Sequence, residues 1–294
     1  MGNEVEQAYD HCQQIAKEHA RNFYYAFRTL PARKRRAIYA AYAFCRLCDD
    51  ISDEDLPPGE KDRQFAETRR HLADSRDGSA TEPVFRAISD ASHAFHIPFD
   101  YYEEVIEGVE MDLTKTRFAN FDELKEYCYK VASVVGLICI EVFGYDDAQA
   151  REYAVDMGLA MQLTNILRDV KEDAERDRIY LPQDDMARFG YTEQDLMNGV
   201  VNDSFRALME FEVGRARSYY DKSRKLFPLI HPEARVCPSL LHATYSRVLD
   251  RIESSGYNVF ERRIGLSKPT KLLLVAKLWA GTLLPSVPKP SLKR

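Results

Sequence analysis

Residues 157–173 read MGLAMQLTNILRDVKED. Apolar side chains dominate as far as Leu167, yet Gln162, Asn165, Asp169 and Asp173 recur at three- and four-residue spacing. At about 3.6 residues per turn that spacing lays all four on one face. The stretch therefore predicts one helix, apolar all round except for a polar stripe that ends in acids. A helix with apolar residues on every side belongs in a protein interior. Acids brought there need a partner of opposite sign.

A second stretch has the same design. Ala37–Cys45 reads AIYAAYAFC, again apolar all round, and runs on through Arg46, Asp49 and Asp53. Asp49 and Asp53 stand four apart on one helical face. Like charges at that spacing cost a helix roughly 0.2–0.5 kcal/mol, and more when desolvated, so a cation must compensate. Oxygen donors a turn apart suit a hard cation such as Mg²⁺, with Mn²⁺ as the alternative; zinc would want His or Cys in register. Two acidic helices facing each other across a cavity make a clamp for a diphosphate carried on several such ions. Arg46 and Arg168, each beside an acid, add positive charge.

Around these two stretches the whole chain keeps helical periodicity. Breaks fall at Pro57-Pro58-Gly59, Asp77-Gly78-Ser79, Pro98, Gly144, Gly190 and Pro238, and β-branched alternation is scarcely visible. An all-α chain is expected, with no linker or repeat, forming one domain over residues 1–290. No glycines are spaced for a dinucleotide or P-loop cradle. The six cysteines show no paired metal spacing and are expected to be reduced thiols. Met1–Lys17 is polar throughout and no run of about 20 apolar residues follows, so a cytoplasmic protein is expected.

Charge is uneven. Residues 262–294 hold eight Lys/Arg and no Asp/Glu, leaving 33 basic against 47 acidic residues before them. With Leu272, Leu273, Leu274 and Trp279, this tail reads either as a helix lying on an anionic membrane surface or as one packed on the body. The first reading would place the protein at the inner face of a membrane. An acidic body argues against a nucleic-acid partner. Aromatics are abundant, 17 Tyr and 15 Phe, and crowd the first 45 residues. They serve as plain core, or as the walls of a cavity whose ring faces stabilise a carbocation.

Five segments in order now resemble the squalene/phytoene synthase family, enzymes that join two prenyl diphosphates head to head. They are Tyr42 to Asp53; Tyr127 to Gly136; Gln162 to Asp173 with Arg178 to Pro182; Tyr245 to Asp250; and Tyr257 to Arg262. The resemblance implies an all-α isoprenoid synthase fold, a single helical domain around a central cavity. It implies Mg²⁺ bound by Asp49, Asp53, Asn165, Asp169 and Asp173, and substrate or diphosphate contacts at Arg46, Gln162, Arg168, Tyr180, Tyr245 and Arg262. Tyr42 and Tyr127 fall near the reacting carbons. Where many relatives carry Ser-x-Ser-Phe, this chain has Ala20-Arg21-Asn22-Phe23, so Arg21 or Asn22 would have to replace the missing hydroxyls.

Among family members the chain is more similar to bacterial ones than to the longer, anchored squalene synthases whose reductive step takes NADPH. NADPH is not expected. Two farnesyl diphosphates condensed to presqualene diphosphate, on a hopanoid route, is the favoured reaction. Phytoene synthase acting on geranylgeranyl diphosphate, on a carotenoid route, and dehydrosqualene synthase are the alternatives. Either Tyr127 or released diphosphate takes the proton, and downstream isoprenoid enzymes are conceivable partners. Chain-elongating prenyltransferases would carry a second Asp-Asp-x-x-Asp, and a non-catalytic helical scaffold would have lost its acids.

Overall fold

A computed structural model describes residues 2–57 and 59–266 of the chain, with Gly2, Arg21 and Asn22 described by backbone alone. The basic tail beyond Leu266, expected at a membrane surface, lies outside the described residues. So do the side chains of Arg21 and Asn22.

The helices are α1 (Gly2–His19), α2 (Arg21–Phe27), α3 (Ala32–Asp53), α4 (Glu60–Arg76), α5 (Pro83–Phe95), α6 (Phe99–Thr114) and α7 (Phe121–Cys128). There follow α8 (Val134–Phe143), α9 (Gln149–Arg168), α10 (Val170–Ala174), α11 (Gln183–Arg188), α12 (Glu193–Met197), α13 (Asp203–Ser223) and α14 (Val236–Ser254). Among the described residues, β-pairing is limited to two single-residue bridges, Arg117 with Ile179 and Tyr145 with Ile230. The all-α expectation holds.

The two helices read as apolar all round are the ones the others enclose. α3 packs on α1, α5, α6 and α8, and it buries Ala37 to Ala41, Ala43, Phe44 and Cys48. α9 packs on α8, α13 and α14, and it buries Met157 to Ala160, Leu163, Ile166 and Leu167. Between α7 and α8 the helix widens into one π-turn, Tyr129–Ser133. Gly158 of α9 makes room for it. A Cβ there would stand 2.5 Å from the Ser133 Cα, closer than any side chain tolerates.

One local expectation needs correction. The stripe from Gln162 to Asp173 does not lie on an unbroken helix: α9 ends at Arg168, Asp169 takes φ −104° and ψ 17°, and α10 restarts at Val170. The ladder nevertheless continues through the break, from Asp169 N–H to the Asn165 carbonyl and from Asp173 N–H to the Asp169 carbonyl, both at 2.9 Å. Register is kept, so the acids still share a face. At this break Arg168 and Arg263 both hold the Asp169 carboxylate.

Candidate active site

The ends of α3, α6 and α9 meet around a cavity of about 360 Å³. Its lining brings together Arg46, Asp49, Asp53, Tyr127, Gln162, Asn165, Asp169, Asp173 and Tyr180, all expected from the sequence. It adds Ser52, Asp112 and Arg263, which were not. Five aspartates against two arginines leave the lining strongly negative.

Each acid experiences that excess differently. Burial, with Asp53 close by, pushes the Asp49 carboxyl up to about 7, only partly opposed by Arg46. Arg46 itself pairs with Asp50 one turn on. Burial also raises Asp173 to about 7, with Asp169 and Asp112 adding repulsion. Asp169 goes the other way. Burial alone would raise it, but hydrogen bonds and charge from Arg168 and Arg263 outweigh that and hold its carboxyl below the usual range. Arg168 binds it through Nε at 2.8 Å and through a second nitrogen, and Arg263 grips both oxygens at 2.8 and 2.9 Å. At the rim Arg176 reaches Asp53 at 2.9 Å, with Arg178 at 3.8 Å.

Asp112 anchors the opposite wall. It accepts hydrogen bonds from Tyr180 at 2.7 Å and Tyr127 at 3.0 Å, and the two rings stack with centroids 5.2 Å apart. The bridge between Arg117 and Ile179 holds this arrangement by delivering the strand-like run after α10 against α6, with Ile179 N–H on the Thr116 carbonyl at 2.9 Å. Burial first, then the Asp112 charge, lifts the Tyr127 phenol well above its ordinary value, and Tyr180 is raised for the same reasons. Both phenols therefore stay protonated near neutral pH.

Aromatic side chains cluster nearby, on α2, α3 and α14. Phe23 of α2 packs on Tyr42 of α3 at 6.4 Å and on Tyr245 of α14 at 5.7 Å. Burial pushes Tyr42 up to about 12, and the buried Tyr245 hydroxyl faces Arg168. Cys45 and Cys139 are wrapped by protein deeply enough that burial raises both thiols, Cys139 to about 12. Both still keep accessible surface.

Five sequence expectations fall outside the lining residues, Phe23, Tyr42, Arg168, Tyr245 and Arg262. Arg168 and Tyr245 stand one layer behind the lining, acting on Asp169 and on each other. Arg262 is exposed and is not among the lining residues; its neighbour Arg263 takes the place at Asp169. The chain has left α14 here and runs without helix, so neighbouring side chains diverge and one position decides which arginine turns inward. Asp112 had a readable signal, since Val105, Val109 and Asp112 recur at helical spacing on the buried face of α6. Arg263 had none.

The donor set fits a hard divalent cation. The Asn165 Oδ1 is buried with no hydrogen-bond partner while its Nδ2 donates to Gln162 at 3.2 Å. Two carboxyls lining the same cavity, Asp49 and Asp173, are raised to about 7 by burial first and by neighbouring aspartates second, costs that a cation would relieve. Among the described residues no three His, Cys, Asp or Glu converge tightly enough to hold an ion alone. An ion that shares its sphere with water and substrate phosphate needs only one or two carboxylates.

An all-α bundle whose two central helices bring their acids to one cavity is suited to an enzyme that handles cation-bound anions. The squalene/phytoene synthase family model matches residues 16–270, and the chain belongs to that family, whose members are prenyltransferase-type enzymes. A 15-cis-phytoene synthase of Synechocystis is 38% identical over 94% of this chain and 85% of its own length. A chloroplastic phytoene synthase of an Oncidium hybrid is 38% identical over 98% of this chain and 72% of its own. The solved structure of a dehydrosqualene synthase superposes with a TM-score of 0.88 at 32% identity, covering 95% of this chain and 98% of that one. The fold is the isoprenoid synthase fold.

Proposed function

We propose that the protein condenses two geranylgeranyl diphosphates head to head to give phytoene. The observation that carries this choice is the set of relatives 35–38% identical over 87–99% of the chain, whose names are phytoene synthases. It displaces the presqualene reading favoured from sequence. That reading retains the support of a structural neighbour, a squalene synthase of Alicyclobacillus acidocaldarius with 27% identity and a TM-score of 0.82.

In this reading Asp49, Asp53, Asn165, Asp169 and Asp173 hold Mg²⁺, which when bound supplies the positive charge that a leaving diphosphate requires. Arg46 Nε, buried without a partner among the described residues, and the Arg263 guanidinium add positive hydrogen-bonding groups at the same end of the substrate, while Arg168 acts from behind by holding Asp169. The donor loses diphosphate and leaves an allylic cation, which the rings of Tyr42 and Phe23 stabilise. The 2,3-double bond of the second substrate attacks it, and loss of a proton closes a cyclopropane. A second diphosphate then departs, the ring opens, and loss of a second proton ends the reaction as a linear C40 hydrocarbon with no reductant consumed. Tyr127 is a poor base because burial and Asp112 keep its phenol protonated, so departing diphosphate takes the proton while Tyr127 and Tyr180 fix the geometry.

The test is mass spectrometry of products after incubating the protein and Mg²⁺ with geranylgeranyl or farnesyl diphosphate, without NADPH and followed by phosphatase. A C40 hydrocarbon from geranylgeranyl diphosphate is expected. A cyclopropyl C30 alcohol from farnesyl diphosphate would restore the presqualene reading.

A further inference from the structure

The Ser52 hydroxyl is at odds with its surroundings. The residue is 4% exposed, its Oγ is buried, and among the described residues nothing accepts from that hydroxyl or donates to it. A serine or threonine inside a helix ordinarily returns its hydroxyl to the carbonyl one turn back. Thr68 and Ser75 of α4 do so, toward Gln64 at 2.9 Å and His71 at 2.8 Å. Ser52 does not. It stands on α3 between Asp49 and Asp53 and lines the acidic cavity. A buried hydroxyl left unpaired burdens the free protein, and such groups in native folds are a sign of a partner that arrives later.

What that partner is follows from the other unpaired groups at the same cavity. Arg46 Nε and Asn165 Oδ1 are also buried and unpartnered there. The first can only donate a hydrogen bond and the second can only accept one or ligate a cation. Once cations hold the carboxylates and Asn165, the unpaired groups left on α3 are donors, Arg46 Nε–H and Ser52 Oγ–H. Donors in a site occupied by cations and arginines call for an anion with several acceptor oxygens. We infer that Ser52 is a diphosphate-binding residue, donating its hydroxyl to a phosphate oxygen alongside Arg46. The inference rests on the reading of this cavity as a diphosphate site.

The test is calorimetric titration of inorganic pyrophosphate with excess Mg²⁺ into the wild type and into Ser52→Ala, Ser52→Val and Ser52→Thr, together with the thermal midpoint of each protein without ligand. Ser52→Ala and Ser52→Val are expected to weaken pyrophosphate about tenfold, the scale of one hydrogen bond to a charged group. Ser52→Thr, which keeps the hydroxyl at the size of valine, is expected to stay near wild type. The midpoint of Ser52→Ala is expected not to fall, because the hydroxyl has no partner to lose. Wild-type affinity in both Ser52→Ala and Ser52→Val would overturn the inference, as would a lowered midpoint with unchanged affinity. A wild type that binds no pyrophosphate with Mg²⁺ would instead overturn the diphosphate reading of the cavity, a result distinct from either.

Discussion

The two acidic regions look alike in sequence and are built oppositely. Among the described residues no guanidinium forms a salt bridge with Asp49 on α3, and its carboxyl is pushed up to about 7 by burial and its neighbour Asp53. At the α9 break, Asp169 is locked between Arg168 and Arg263 and held below the usual carboxylate range. One region is charged at the expense of stability and the other contributes to it. A clamp made this way holds Asp169 fixed and leaves Asp49 on α3 and Asp173 on α10 unsatisfied, where incoming positive charge gains most.

Turnover shows the largest effect and is the place where the two regions should agree. Asp49→Asn and Asp169→Asn are each expected to lower kcat by about a hundredfold or more, the scale seen when one group that stabilises developing charge is removed. A near-normal rate in either would separate the two regions functionally and break the clamp.

Stability is where they should differ. Asp49→Asn removes a buried, repelled charge and is expected to raise the thermal midpoint of the metal-free protein at pH 8. Asp169→Asn strands two arginines and is expected to lower it, each change being a few degrees, as about 1 kcal/mol gives in a chain of this size. The pH dependence carries the same sign. Raised carboxyls bind protons in the folded state that the unfolded chain has released, so Asp49 and Asp173 make stability fall as pH rises from about 4, where free carboxyls ionise, to their folded value near 7. Asp169, being depressed, contributes stability above about pH 4 that is lost only on further acidification. Metal-free melting between pH 5 and 8 is thus expected to slope downward, less steeply in Asp49→Asn. An upward slope would reverse the comparison.

Most of this was readable before any coordinates. The all-round apolar character of Ala37–Cys45 and Met157–Leu167 placed α3 and α9 inside, and helical spacing put their acids on single faces. Spacing could not show how Asp169 is held, because one of its two arginines, Arg263, lies 94 residues away. Nor could it choose Arg263 over Arg262, a matter of how a non-helical run leaves α14. Asp112 was overlooked although α6 has the period for it, since one acid without a near partner looks like any solvated residue. Its meaning comes from Tyr127 and Tyr180, brought to it by the bridge between Arg117 and Ile179. Local patterns are written along the chain, while partners drawn from separate helices are written only in the fold.

The central claim is that these two regions act as one cation-dependent diphosphate clamp. Its most direct test is calorimetric binding of a non-ionising thiolodiphosphate analogue of geranylgeranyl diphosphate, measured with Mg²⁺ and again with the ion chelated. Tight binding with Mg²⁺, accompanied by uptake of more than one ion and lost on chelation, is the predicted result. Equal affinity in both conditions would contradict it.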